Sequence, residues 1–160
     1  MKTKIVDADR AAAISRELRE SGRRLVFTNG CFDLLHVGHI RYLEAARALG
    51  DALLVAINGD ESVRALKGEG RPLNREADRA ELVAALECVD HVVIFPEVRA
   101  TALLEKVQPT IYVKGGDYTA ATLDSEERAA LERAGANIQI LPFESGYSTS
   151  AMIEKLGKSP

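Results

Sequence analysis

The residues best suited to do chemistry in this chain stand together in Thr28-Asn-Gly-Cys-Phe-Asp-Leu-Leu-His-Val-Gly-His39. His36 and His39 are three positions apart, so on the first turn of a helix both imidazoles face one direction. Gly38 between them lets a phosphate approach the backbone, and the free amides of a helix N-terminus favour the same anion. Together these groups read as a phosphate clamp. A metal pair and a plain helical turn with incidental histidines are the competing readings. A zinc site wants at least one more well-placed ligand, and the remaining histidine, His91, starts a strand expected on the opposite edge.

Three further segments collect polar residues between apolar runs: Asn58-Gly-Asp60, Lys114-Gly-Gly-Asp117 and Gly146-Tyr-Ser-Thr-Ser150. Lys67, Arg71 and Arg75 lie in or beside Lys67-Gly-Glu-Gly-Arg-Pro-Leu-Asn74, whose glycines and proline predict a loop able to move. Those cations either close over a triphosphate or form a solvated surface. Asp117 is a site carboxylate or a turn aspartate. Ser148, Thr149 and Ser150 are helix caps, worth about 1 kcal/mol in that role, or phosphate ligands. Capping and phosphate binding compete for the same hydroxyls and amides.

The elements that must position these groups alternate strand-like apolar runs with helix-period segments, the pattern of βα units around a parallel sheet. Strands are expected at 25–29, 52–57, 92–95, 110–114 and 137–141. Helices are expected around Ile14 and Leu18, after His36 to Gly50, and over 61–66, 75–86, 98–107 and 124–134, with a last short one from Ser148. On the 75–86 helix, Leu82, Val83 and Leu86 are expected on the inward face. The fold class is α/β: a single doubly wound, Rossmann-like domain with a five-stranded parallel sheet and helices on both faces. One domain is expected over 1–160, with an N-terminal helix in 1–23 and a catalytic core in 24–156. In such a sheet, ligands bind beyond the carboxyl ends of the strands, where all four polar segments fall.

Composition narrows the function. The 160 residues carry 21 Lys and Arg against 24 Asp and Glu, a formal net charge of -3, so no global positive field exists to hold nucleic acid. No apolar run is long enough to cross a bilayer and the start lacks a signal core, so a cytoplasmic protein without membrane contact is expected. The two cysteines, Cys31 and Cys88, form no metal-binding spacing and read as small buried thiols, with a reactive role for Cys31 as the lesser alternative. The segment after the first strand lacks G-x-G-x-x-G. No P-loop or G-x-S-x-G elbow occurs anywhere, which argues against dinucleotide, P-loop and serine acyl-transfer chemistry.

With those residues assembled, the chain resembles the HxGH nucleotidyltransferase superfamily, and within it the adenylyltransferases that make ADP-heptose from heptose 1-phosphate. The resemblance runs from about Arg24 to Leu156. His36-Val-Gly-His39 carries the superfamily likeness; Arg71-Pro-Leu-Asn74 and Val113-Lys-Gly-Gly-Asp-Tyr118 carry the narrower one. It implies that His36, His39, Lys67 and Arg71 are catalytic, holding nucleotide phosphates and stabilising the transition state. Asn29, Gly30, Phe32, Asp33, Gly38, Lys114, Gly115, Asp117, Ser148, Thr149 and Ser150 are implied to bind nucleotide, and Asn58 and Asp60, with Lys67 and Arg71, to border the sugar phosphate. Many superfamily members place a basic residue one turn into the last helix; Met152 and Ile153 stand there here, which shifts more of the clamp to Lys67 and Arg71.

The partners implied are ATP and a sugar 1-phosphate, with Mg²⁺ bound mainly through ATP phosphates rather than by a protein metal site, and a homodimer. Many heptose enzymes are fused to a sugar kinase; at this length the expectation is the stand-alone form, feeding lipopolysaccharide core assembly. A phosphate oxygen, already ionised at neutral pH, would be the nucleophile, so no general base is required. The alternatives are a cytidylyltransferase acting on glycerol 3-phosphate or a similar alcohol phosphate, and a silent nucleotide-sensing module.

Overall fold

Short runs of β-branched and aliphatic residues, each ended by Gly, Asn or Pro, make the strands of one parallel sheet: β1 (Leu25–Gly30), β2 (Ala52–Asn58), β3 (His91–Phe95), β4 (Ile111–Gly115) and β5 (Asn137–Leu141). The computed structural model describes residues 2–116, 122–142 and 145–158. The strand order is β3-β2-β1-β4-β5, so the chain builds outward from β1 on one side and then returns to its other side. Every residue of β2 is buried, as a parallel strand covered on both faces requires.

Helices α1 (Ala8–Glu20), α2 (Val37–Arg47), α3 (Asp60–Lys67), α4 (Glu76–Ala84), α5 (Thr101–Val107), α6 (Ser125–Ala134) and α7 (Thr149–Gly157) connect and flank the strands. Alternation along β1 divides the core. Leu25 and Phe27 pack with residues of α1, α5 and α6 on one face, and Val26 packs with residues of α2 and α4 on the other. The N-terminal segment is part of this core: Ala11, Ile14 and Leu18 are buried in it, and the Val6 amide bonds the Val92 carbonyl at 2.8 Å.

Two elements depart from the sequence expectation for identifiable reasons. α5 starts at Thr101 rather than 98, because the Asn58 amide binds the carbonyls of Glu97 and Val98, each at 3.3 Å, and takes them from a helical ladder. On α4 the buried residues are Arg79, Ala80, Val83 and Ala84, whereas Leu82 is 48% exposed. The helix is rotated so that the Arg79 guanidinium reaches carbonyls at the strand ends, which Leu82 could not satisfy.

Candidate active site

The reversal of strand order between β1 and β4 opens a crevice at their carboxyl ends. Its volume is about 930 Å³. Asn29, Gly30, Asn58, Lys114 and Gly115 come from the strand ends, Phe32, Asp33, His36 and His39 from the β1–α2 turn and the start of α2, Lys67 from the end of α3 and Arg71 from the loop after it. Ser148, Thr149 and Ser150 enter it from the start of α7. A smaller hollow of about 260 Å³ lies at the opposite, amino ends of the strands, between Arg10, Glu17, Arg23, Asp51 and His91. It faces no helix N-terminus of the crossovers.

His36 is the N-cap residue of α2 and His39 lies on its first turn. Their rings stack at 3.9 Å between centroids, 25° from parallel. The His36 amide donates to His39 Nδ1 at 3.3 Å, so the neutral His39 ring carries its proton on Nε2 and offers a donor there. Burial, then the neighbouring His36, pushes His39 down to about 4, and burial lowers His36 as well. At neutral pH the pair is therefore two uncharged imidazoles. Gly38 is required by space: a Cβ there would meet Tyr147 Cβ at 2.9 Å and the His36 ring at 3.0 Å.

The turn leading into α2 is held rigidly. Phe32 adopts φ 48°, a left-handed conformation uncommon for a bulky residue, and its buried ring lies 5.4 Å from that of His39. Tyr42 of α2 hydrogen-bonds Thr28 at 2.7 Å and the Val113 carbonyl at 3.3 Å, fastening the helix to both strands of the switch point. Asn29 accepts from the Tyr112 hydroxyl at 2.9 Å.

Asp33 anchors the loop after α3. Its carboxylate accepts from Arg71 Nε at 2.7 Å, the Leu73 amide at 2.9 Å and the Asn74 amide at 3.0 Å. Burial pushes the Asp33 carboxyl up, but the Asn74 and Leu73 amides and the Arg71 guanidinium outweigh it and hold it below the usual carboxylate range. Arg71 thus lines the crevice already ion-paired, while Lys67 is exposed at the end of α3.

The hydroxyls of the last helix divide their work. Ser148 Oγ caps α7 by accepting the Ala151 amide at 3.0 Å, and Thr149 Oγ1 donates to the Leu34 carbonyl at 3.0 Å. Ser150 is exposed at the crevice.

Asp60, expected at the substrate, lies outside the crevice lining. It accepts from Arg79 at 2.9 Å and from the Glu76 amide at 2.8 Å, a structural role at the start of α3. Asp117 lies outside the described residues. Cys31 lines the crevice, but burial pushes its thiol up more strongly than Lys67, Arg79 and Arg71 pull it down, which opposes a reactive thiolate.

Sequence reasoning missed Arg79. It is 0% exposed and donates to the carbonyls of Asn74, Cys31 and Asn58 and to Asp60. Its signal was a charged residue in register with buried Ala80 and Val83. Also unforeseen is the far wall, where Arg99 pairs with Asp124 and Glu127 accepts the Ala100 amide at 2.9 Å. Asp33, Asp124 and Glu127 are each hydrogen-bonded or ion-paired, and the described residues hold no cluster of three or more groups that could bind a metal ion.

Fold, switch-point crevice and histidine turn together define a class: the chain belongs to the cytidylyltransferase-like family of HxGH nucleotidyltransferases, which it matches over residues 27–155. Among curated relatives, the bifunctional protein HldE of Geotalea uraniireducens (strain Rf4) is 51% identical over 153 residues, covering 96% of this chain and 31% of that protein. Bifunctional protein HldE of Geobacter metallireducens is 46% identical over 153 residues, with the same coverage of 96% and 31%. The chain thus spans about a third of the length of the curated relatives it matches. Among solved structures, the lipopolysaccharide core biosynthesis protein from Thermoplasma volcanium GSS1 superposes with a TM-score of 0.62 at 29% identity, covering 79% of this chain and all of that one. No helix among the described residues is long and apolar enough to cross a membrane.

Proposed function

We propose that the chain transfers AMP from ATP to D-glycero-D-manno-heptose 1-phosphate, giving ADP-heptose and pyrophosphate, and that it does so in the cytoplasm. The observation that carries this reading is the stacked His36–His39 pair at the N-terminus of α2, inside a crevice large enough for both substrates. Similarity to HldE over nearly the whole chain, and to a lipopolysaccharide core biosynthesis protein, supports the heptose acceptor.

In this reaction an ionised oxygen of the sugar phosphate attacks the α-phosphorus, and the bond to the bridging oxygen of pyrophosphate breaks. The protein's part is alignment and stabilisation of the charge that moves onto the leaving group. The Nε2–H of His39 donates to a phosphate oxygen without carrying charge itself. The amides at the start of α2 and α7 add positive ends of helix dipoles, and Lys67 and Lys114 supply full charges. Arg71, held by Asp33, positions its loop as well as adding charge. Mg²⁺, arriving with ATP, would neutralise the triphosphate.

Pyrophosphate release tests the reading, with ATP and Mg²⁺ against both anomers of heptose 1-phosphate, hexose 1-phosphates and glycerol 3-phosphate, repeated with CTP and GTP. Turnover confined to ATP and a heptose 1-phosphate is the expected outcome. Turnover with CTP and glycerol 3-phosphate instead would keep the class and overturn the named reaction. The homodimer that the resemblance implies is checked on the same preparation by sedimentation equilibrium.

A further inference from the structure

His36 presents a problem of orientation that its hydrogen bonds do not solve. Its Nδ1 is buried and, although it sits at the His39 amide in a capping box, makes no well-formed hydrogen bond among the described residues, so the ring's rotation about the Cβ–Cγ bond is weakly fixed at that nitrogen. A histidine that must aim a donor at a phosphate needs its plane fixed, and here packing contributes to that. One face of the ring is covered by His39 at 3.9 Å. Tyr147 also packs against it, its ring 6.2 Å away between centroids and 23° from parallel, an offset stack.

Tyr147 is itself held from several sides. Arg41 of α2 lies 5.9 Å above its ring, within cation–π range. Its Cβ rests where a side chain on residue 38 would otherwise sit, and the Thr149–Leu34 bond latches the following helix to the same turn. The result is a column of successive pairwise contacts, Phe32–His39–His36–Tyr147–Arg41, that joins the β1–α2 turn and α2 to the segment before α7. Tyr147 remains 43% exposed, more than a residue kept only for the core would be.

We infer that Tyr147 is a positioning residue for the transfer reaction: by packing its ring against that of His36, it fixes the imidazole plane that must meet the nucleotide phosphates. The inference rests on the reading of His36 as a phosphate ligand. The contact needed is a flat ring rather than a hydroxyl, so phenylalanine should replace tyrosine and alanine should not.

Among the described residues, the rings packed against His36 are His39 on its own helix and Tyr147 before α7, with Arg41 over the Tyr147 ring. Burial lowers His36, so removing the Tyr147 ring should let its titration midpoint rise toward the ordinary 6.5. Two measurements on the full chain test the inference, with wild type, Tyr147→Phe and Tyr147→Ala compared at equal thermal stability. The first is NMR titration of the imidazole nitrogens without nucleotide, His36 being assigned by loss of its signal in His36→Gln. The midpoint is expected to rise in Tyr147→Ala and to stay unchanged in Tyr147→Phe. The second is pyrophosphate release, where kcat should fall by about 10- to 100-fold in Tyr147→Ala and by less than about twofold in Tyr147→Phe, with the KM for ATP changing less than kcat.

An unchanged His36 titration in Tyr147→Ala would overturn the positioning role whatever the enzyme's substrate proves to be. A changed titration with undiminished kcat would overturn its part in turnover. Wild-type protein inactive on every sugar phosphate would count against the proposed reaction alone, since the titration decides the stack independently.

Discussion

Asp33 and Arg71 are joined by a 2.7 Å hydrogen bond from Nε to the carboxylate, so a loop whose composition suggests free movement is pinned beside the histidine turn. The same carboxylate accepts the backbone amides of Leu73 and Asn74. One buried side chain therefore fixes the relation between the turn that carries the imidazoles and the segment that carries the loop cations.

Asp33→Asn should destabilise the protein by about 2–3 kcal/mol at pH 7, because a buried charge-assisted network loses its anion while Arg71 keeps its charge. The wild-type carboxyl sits below its ordinary 3.8, so its contribution is full above that value and is lost as pH falls through the lower folded value. Urea unfolding across pH 2–7 should show that acid-dependent loss in wild type and a flatter profile in Asp33→Asn.

Arg79→Met should cost about 3–5 kcal/mol, since it leaves Asp60 without its buried partner and strips the shared donor from three carbonyls. Arg79→Lys should recover part of that loss, as an ammonium reaches fewer of the acceptors in the same fork geometry. Denaturant midpoints of the two variants check the order. Equal stability of Arg79→Met and wild type would contradict the hub.

Gly38→Ala would be mildly favoured by helix propensity alone. Its Cβ would instead meet Tyr147 and His36 at 2.9 and 3.0 Å, so we expect a loss of about 1–3 kcal/mol from overpacking. Turnover should fall with it, since the His36 ring is one of the groups that must move. Thermal melts and pyrophosphate release on the same sample separate the two effects.

His39 has a folded pKa of about 4 against an ordinary 6.5. The unfolded chain therefore takes up a proton between those values that the folded chain refuses. Stability from this group is complete above 6.5 and declines as pH falls toward 4. A bound triphosphate favours the protonated ring, so ATP should raise the His39 midpoint in an NMR titration. A midpoint unmoved by saturating ATP would show that the ring does not meet the phosphates.

The strands and most helices were legible because each is a local pattern: apolar runs ended by Gly, Asn or Pro, and a cap such as Ser148. The strand-end segments could be assigned to one crevice because a parallel sheet brings successive carboxyl ends together. Asn58-Gly-Asp60 falls at the expected edge, yet which way the Asp60 carboxylate turns depends on Arg79, nineteen residues later, and no local pattern carries that. Leu82 was misread because the periodicity of α4 could not weigh a guanidinium with four acceptors outside the helix against an aliphatic side chain.

By itself the sequence determined the α/β class, the histidine turn and the family, since these reside in periodicity and in residues that are neighbours along the chain. Only the tertiary structure decided the strand order, the pinning of Arg71 by Asp33, the Arg79 hub, the separate tasks of Ser148 and Thr149, and the column from Phe32 to Arg41. Each of those depends on groups far apart in sequence whose burial and angle of approach are set by packing, and no local pattern encodes that.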